Sequence, residues 1–185
     1  MDVLAHGLWA GIGVAAAARR WPVSRRAALA TVALAVLPDF AQLLPLIAAA
    51  LWRGDGMRIV SAYVAALPGF TPVLPDGVAL PLHHLHCTMH SAVIAAAVTA
   101  LVWLGRRAFW WPLLGWWSHV VIDVFTHSAD FYPSPVLYPF TERGFDGLAW
   151  NTPWLLAANY AALLAAAAWL AATRRRTAPD QAAGA

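Results

Sequence analysis

Five apolar segments, punctuated by short clusters of arginine, constrain the fold of this chain more than any other feature of its sequence. They cover residues 3–18, 27–52, 88–104, 109–126 and 148–172. Segments of this kind cross a bilayer as helices, because a helix satisfies its backbone polar groups internally. The sequence therefore predicts an all-α fold, a multi-pass transmembrane helical bundle with about five membrane helices. Residues 1–176 would form this single domain, and residues 177–185, which lack an apolar pattern, a disordered C-terminal tail.

The charge distribution supports a membrane protein and predicts its orientation. The chain is 61% hydrophobic and 11% charged, and every basic residue is an arginine. Arginine clusters beside apolar segments mark the cytoplasmic side of a membrane protein, so the net charge of +3 does not require a nucleic-acid partner. We predict a cell inner membrane location, with the N-terminus outside and the C-terminus cytoplasmic. The partner is then the lipid bilayer.

The long loop at residues 53–82 is predicted to lie on the outer side. It contains Pro68, Pro72, Pro75 and Pro81, which exclude one continuous helix. We expect short helical segments instead, including an interfacial helix at about residues 57–67.

A stripe of ligand-type side chains runs through the fourth apolar segment. His119, Asp123 and His127 are spaced four residues apart, so on a helix they share one face and drift by only about 40° per step. Ionisable groups are costly to bury in so hydrophobic a segment, which makes a functional site with partners elsewhere the expected explanation.

Other segments bring similar side chains to a similar depth. Counted along a helix from the nearest arginine cluster, His6, Asp39 and His119 lie roughly 18 to 20 Å from the cytoplasmic face. His90 and Asp123 lie roughly 24 Å from it. Four helices thus deliver imidazoles and carboxylates to one layer in the outer half of the membrane, which predicts a shared site.

The start of the third segment is the richest in histidine. Pro81 suits the first turn of a helix, and from there His83, His86 and His90 follow one helical stripe, while His84 points about 100° away. We predict His86 and His90 as metal ligands, with His83 as a further candidate.

The ligand types favour particular metals. With Cys87 as the only cysteine, a thiolate cluster is excluded, so the metal must be held by histidine and carboxylate. Zinc is favoured, manganese and iron(II) are alternatives, and the ligands suffice for one or two ions, with a bridging Asp as the preferred geometry for two. A metal-bound water is then the nucleophile, and no side-chain nucleophile is assigned. The predicted ligands are His6, Asp39, His86, His90, His119 and Asp123, with His83 and His127 as further candidates.

The order of these residues resembles a known family. The similarity rests on His6, Leu37-Pro38-Asp39, His90-Ser91, Gly115-Trp116-Trp117-Ser118-His119 with Asp123, Thr126-His127 and Tyr138-Pro139. In this order they resemble the membrane-bound metal-dependent hydrolase family, the inner-membrane family regulated through LexA in enteric bacteria. The family's central motif resembles His-Arg-Gly-x-Thr-His-Ser, whose first His would fall on Leu85, so the corresponding ligand stays open among His83, His84 and His86. The resemblance implies hydrolysis and leaves the substrate unspecified.

These observations predict an integral-membrane, metal-dependent hydrolase. Its substrate would be an ester or phosphoester of a lipid or amphiphile that arrives from the outer leaflet. Two alternatives stay open. A metal ion or proton transporter could use the same ligands, although the inner halves of the helices lack polar residues. A haem-binding membrane protein could use histidines from separate helices, although Asp39 and Asp123 at the same depth make this less attractive.

Overall fold

The computed structural model describes residues 1–175, so the tail predicted at residues 177–185 lies outside the described residues. Within the described part the structure is all-α, as predicted, with two isolated β-bridges and no strand. The seven helices are α1 (Val3–Ala17), α2 (Arg25–Trp52), α3 (Gly56–Val64), α4 (Asp76–Met89), α5 (Ala92–Arg106), α6 (Leu113–Thr126) and α7 (Pro153–Arg175).

Length and composition qualify two of these helices as candidate membrane spans. They are Arg25–Trp52 and the Pro153–Thr173 part of α7. A third candidate is the pair α4 and α5, which is bent by 60° between its two halves. The helices α1 and α6 are apolar but shorter. A helical membrane protein is therefore plausible, whereas the predicted count of five spans is not confirmed.

The His-rich stretch differs from its prediction. We expected a helix that begins at Pro81 and continues through the third apolar segment. Instead α4 begins at Asp76, contains Pro81 in its interior, and ends at Met89. Ser91 then starts α5, because its hydroxyl accepts a hydrogen bond from the Ile94 amide at 3.2 Å. The break places His90 at the bend between the two helices.

Pro38 also behaves differently from expectation. A proline ring in a helix interior is expected to kink or interrupt the helix, but α2 continues through Pro38 and Pro45 as one helix. Proline removes a backbone donor from the helix without requiring that the helix end, provided that neighbouring helices support it. Here α1, α3, α4 and α6 all pack on α2, which is the centre of the fold.

Gly115 brings α6 unusually close to α2. A Cβ atom at this position would stand 2.0 Å from the carbonyl oxygen of Thr31, so only glycine permits the observed approach. One turn later along α6, His119 reaches the carbonyl of Ala35 on α2, at 2.8 Å from its Nδ1. The glycine thereby sets the distance between the two helices that carry most of the site.

The burial pattern is that of a protein surrounded by lipid. His119 and Asp123 are 0% exposed, whereas Leu51 and Leu164 are 69% and 73% exposed. In water this arrangement would bury charge and expose apolar surface, both at a cost. In a bilayer, ionisable groups face the interior of the bundle and apolar side chains face lipid.

The two terminal helices run side by side in the same direction. Near their starts, the Tyr160 hydroxyl donates to Asp2 at 3.0 Å, and at their ends the Arg19 guanidinium lies 5.2 Å from the Trp169 ring centroid. The arginine-bearing ends of α1 and α7 therefore lie on the same side of the bundle, as the predicted orientation requires.

Candidate metal centre

Four buried side chains from different parts of the chain meet in the interior. Asp39 comes from α2, His90 from the bend between α4 and α5, and His119 and Asp123 from successive turns of α6. Each offers one nitrogen or oxygen atom, and these four atoms lie within 4.8 Å of one another. The structure thus brings together four of the predicted ligands as a group that could hold a metal ion.

Backbone carbonyls orient both imidazoles of this group. His90 Nδ1 lies 2.9 Å from the carbonyl of His86, and His119 Nδ1 lies 2.8 Å from that of Ala35. A carbonyl only accepts, so each Nδ1 carries a proton, and each ring in its neutral form would present an Nε2 lone pair. This is the arrangement in which histidine commonly binds metal, with its other nitrogen donating to a carbonyl.

The two Nε2 atoms face each other at 3.0 Å. Two imidazole lone pairs at that distance repel unless a proton or a metal cation lies between them. Asp123 Oδ2 adds negative charge at 3.3 Å from His90 Nε2 and 3.1 Å from His119 Nε2. Asp39 Oδ1 lies slightly farther out, at 3.7 and 3.9 Å from the same two atoms.

These separations fit a tetrahedral ion. Bonds of 2.0–2.1 Å to nitrogen and oxygen place neighbouring ligand atoms about 3.3 Å apart, and the observed values scatter around that distance. Oδ2 of Asp39, and Oδ2 of Asp123 which faces the two imidazoles, are buried and accept no hydrogen bond within residues 1–175. Buried carboxylate oxygens without donors are costly, and a cation would compensate them.

The other oxygen of Asp123 faces a different set of groups. Oδ1 lies 2.9 Å from His6 Nε2 and 3.6 Å from His127 Nε2. The α-ammonium of Met1 also contacts it, and Thr126 Oγ1 donates to it at 3.3 Å. Two further predicted ligands, His6 and His127, therefore adjoin the centre through Asp123.

His86 lies next to the four-residue group without facing it. Its Nδ1 is 2.7 Å from Gln42 Oε1, and its Nε2 is 3.1 Å from the carbonyl of Pro133. Whichever way the Gln42 amide is turned, both ring nitrogens are engaged, so neither offers a lone pair to a metal in this arrangement. Its ring packs on that of His90, at 4.3 Å between centroids. Gln42, which lies on α2 one turn after Asp39, thus supports His86.

The remaining histidines of α4 lie away from the centre. His83 is on the surface, with its Nε2 3.4 Å from a carboxylate oxygen of Glu142 and 3.5 Å from Cys87 Sγ. His84 is exposed. The structure therefore does not bring His83 to the other candidate ligands.

A cavity of about 390 Å³ adjoins the centre. Asp39 and His127 contribute polar groups to its wall, much of which is apolar. Tyr63 and Tyr132, whose ring centroids lie 5.1 Å apart, line both this cavity and a second one of about 280 Å³ on the side of His86. Burial raises the pKa of Tyr132 to about 12, so its hydroxyl is a neutral donor near pH 7.

Tyr132 is a residue of the site that the sequence did not indicate. Its backbone is left-handed, with φ 48°, and its carbonyl lies 2.6 Å from His127 Nδ1. The ring of His127 is thereby fixed with Nε2 toward Asp123. Sequence spacing cannot identify a tyrosine that orients a histidine through its backbone carbonyl. Gly115 could have been noticed, because a glycine one turn before a predicted ligand suggests close helix packing.

Comparison with known proteins identifies a family. The model of one family, described as YdjM inner membrane protein, matches residues 1–182. Neither a curated protein nor a solved structure matches the chain significantly. The family description agrees with the predicted inner-membrane location and states no activity.

Proposed function

The chain belongs to the YdjM inner membrane protein family, and we propose that it is an integral-membrane hydrolase that depends on a divalent metal, with zinc favoured. The proposal has all five apolar segments crossing the membrane, with the metal centre in the outer half. Its substrate is an ester or phosphoester of a lipid or amphiphile.

The observation that carries the proposal is the buried group Asp39, His90, His119 and Asp123. Two carboxylates and two imidazoles are ligand types that suit a borderline cation, and a coordination number that expands to five would admit a water beside them. Such a group has no evident purely structural use, because apolar side chains of the same volume would cost less to bury.

The proposed chemistry follows from the divalent ion that these residues would bind. A bound divalent ion would supply a water of lowered pKa as the nucleophile and would polarise the ester or phosphoryl oxygen of the substrate. Asp39 and Asp123 would balance the charge of the ion, and the carbonyls of His86 and Ala35 fix the orientation of the two imidazoles that would hold it. The neutral hydroxyl of Tyr132, buried and without a partner among the described residues, can donate to the substrate from the cavity wall.

The cavity supports an amphiphilic substrate. Leu43, Val64 and Leu67 contribute apolar surface to its wall, while Asp39 and His127 contribute polar groups. A molecule with a polar ester group and an apolar tail matches this polarity. A lipid could approach laterally from the bilayer, because the proposed transmembrane bundle is surrounded by lipid.

The geometry gives less support to the two alternatives. In a bis-histidine haem the macrocycle would lie between the Nε2 atoms, but these are 3.0 Å apart with carboxylates beside them. A transporter would need polar groups that lead from the site toward the arginine-bearing side. In α6 the residue one turn before His119 in that direction is Gly115, which is packed against α2.

The proposal is tested by hydrolysis assays on the full chain in detergent micelles or nanodiscs. Carboxylic esters and phosphodiesters with short and long acyl chains would be offered, with and without a chelator. We expect cleavage that is lost with chelation, restored by zinc or manganese, and absent in His119→Gln, with the surface variant His84→Gln as the matched control. Cleavage that is insensitive to chelation, or that is retained by His119→Gln, would exclude the metal mechanism.

A further inference from the structure

The carboxylate of Asp123 is shared between two groups of histidines. Its Oδ2 faces His90 and His119, at 3.3 and 3.1 Å from their Nε2 atoms. Its Oδ1 faces His6 and His127, at 2.9 and 3.6 Å from their Nε2 atoms. One acid thus has imidazole nitrogens against both of its oxygens, which is the relationship expected of a carboxylate that bridges two metal ions.

The groups around Oδ1 have the properties of metal ligands themselves. His127 donates from Nδ1 to the Tyr132 carbonyl, at 2.6 Å, so its Nε2 lone pair points toward Asp123. His6 is 1% exposed, and its Nδ1 has no partner within the described residues. Both separations from Oδ1 scatter around the roughly 3.3 Å expected between ligand atoms on one tetrahedral ion.

A positive charge already lies on this side of the carboxylate. The α-ammonium of Met1 contacts Asp123 Oδ1 and lies 3.1 Å from His127 Nε2. The side chains around Oδ1 therefore accommodate a cationic group in the structure. The cavity of about 390 Å³ reaches Met1 and His127, so an ion has a route to the same atoms.

We propose a second divalent-cation subsite formed by His6, His127 and Oδ1 of Asp123, with Asp123 bridging it to the four-residue group. The inference rests on the proposed function for the first ion and extends it to a dinuclear centre. Two ions bridged in this way lie about 3.5–4 Å apart, close enough to hold the attacking and leaving oxygens of one substrate.

The test is a metal count combined with a spectroscopic distance probe on the full chain in detergent. The protein is stripped with a chelator, dialysed to equilibrium against Mn²⁺, and measured by elemental analysis and electron paramagnetic resonance. We expect two Mn²⁺ per chain with a spin-coupled signal. His127→Gln and His6→Gln should each retain one uncoupled Mn²⁺, and the surface variant His83→Gln should retain the coupled pair.

Each other outcome identifies what is wrong. One Mn²⁺ per wild-type chain would overturn the second subsite and leave the first in place. Two Mn²⁺ without spin coupling would overturn the bridging role of Asp123. No bound Mn²⁺ would overturn both the subsite and the metal site of the proposed function. The wild-type count decides the question even if a histidine variant fails to fold.

Discussion

The backbone of Gly115 on α6 lies against Thr31 on α2 so closely that a Cβ atom would stand 2.0 Å from the Thr31 carbonyl oxygen. We expect Gly115→Ala to push the two helices apart and to cost about 1–3 kcal/mol, as overpacking does. Because His119 reaches Ala35 across the same contact, metal binding should weaken as well.

The control for this variant is Gly13→Ala, since a Cβ atom at Gly13 meets nothing within 4 Å. Thermal unfolding followed by tryptophan fluorescence, with metal analysis of the same samples, measures both effects. Equal unfolding temperatures and metal contents in the two variants would contradict the close-packing argument.

Substitutions of His86 and of His90 are predicted to differ in their effect on metal binding, although the two rings are in contact. Both nitrogens of His86 are engaged by Gln42 and the Pro133 carbonyl, whereas Nε2 of His90 faces the centre, 3.0 Å from Nε2 of His119. We expect His86→Gln to retain its metal at saturation, with affinity lowered by about tenfold through lost support. His90→Gln should lose the metal of the four-residue group. Titration with zinc against a competing indicator gives both affinities, and loss of metal in His86→Gln would show that this ring is a ligand after all.

The sequence predicted an all-helical fold and four of the side chains that meet in the candidate site. The depth argument indicated that Asp39, His90, His119 and Asp123 occupy one layer, and the structure brings these four together. The counting succeeded because each of these four residues lies on, or beside the end of, an apolar helix that begins or ends near an arginine cluster. Such counting gives depth alone and leaves the rotation of each helix undetermined.

The failures of prediction lie where the chain departs from a simple helix. The chain bends by 60° between α4 and α5, at His90. His83, on α4, lies on the surface beside Glu142 and not at the site that its helical spacing suggested. The helix α2 continues through Pro38 because neighbouring helices pack on it. Local helix propensity does not include such packing and therefore could not predict it. The backbone carbonyl of Tyr132 likewise acquires its role only through tertiary contact with His127.

The cavity beside Asp39 is predicted to hold the apolar part of the substrate. Ala65 lines this cavity, and Ala79 lines the second one. We expect Ala65→Trp to raise KM for long-chain esters by about tenfold and to leave short-chain esters and metal content nearly unchanged, because it removes space for the tail. Ala79→Trp is the matched control. Equal effects of both substitutions, or none, would contradict the assignment of this cavity.

The predicted orientation places residues 128–147 outside and the arginine-bearing ends inside. Phe140 and Trp21 lie at opposite sides in this arrangement and are 82% and 63% exposed. In intact cells, Phe140→Cys should react with a membrane-impermeant thiol reagent, and Trp21→Cys should react only after permeabilisation. Native Cys87 is buried and serves as the background. The reverse pattern would invert the topology.

The metal content of the purified wild-type chain, compared with that of Asp123→Asn, tests the central claim most directly. Asp123 presents an oxygen to His90 and His119, so its carboxylate charge is needed to hold the ion. We expect at least one zinc or manganese ion per wild-type chain. An Asp123→Asn variant that is folded, as judged by circular dichroism, should bind almost none. A folded wild-type protein that binds neither metal when dialysed against it, or an Asp123→Asn variant that binds as much as wild type, would contradict the claim.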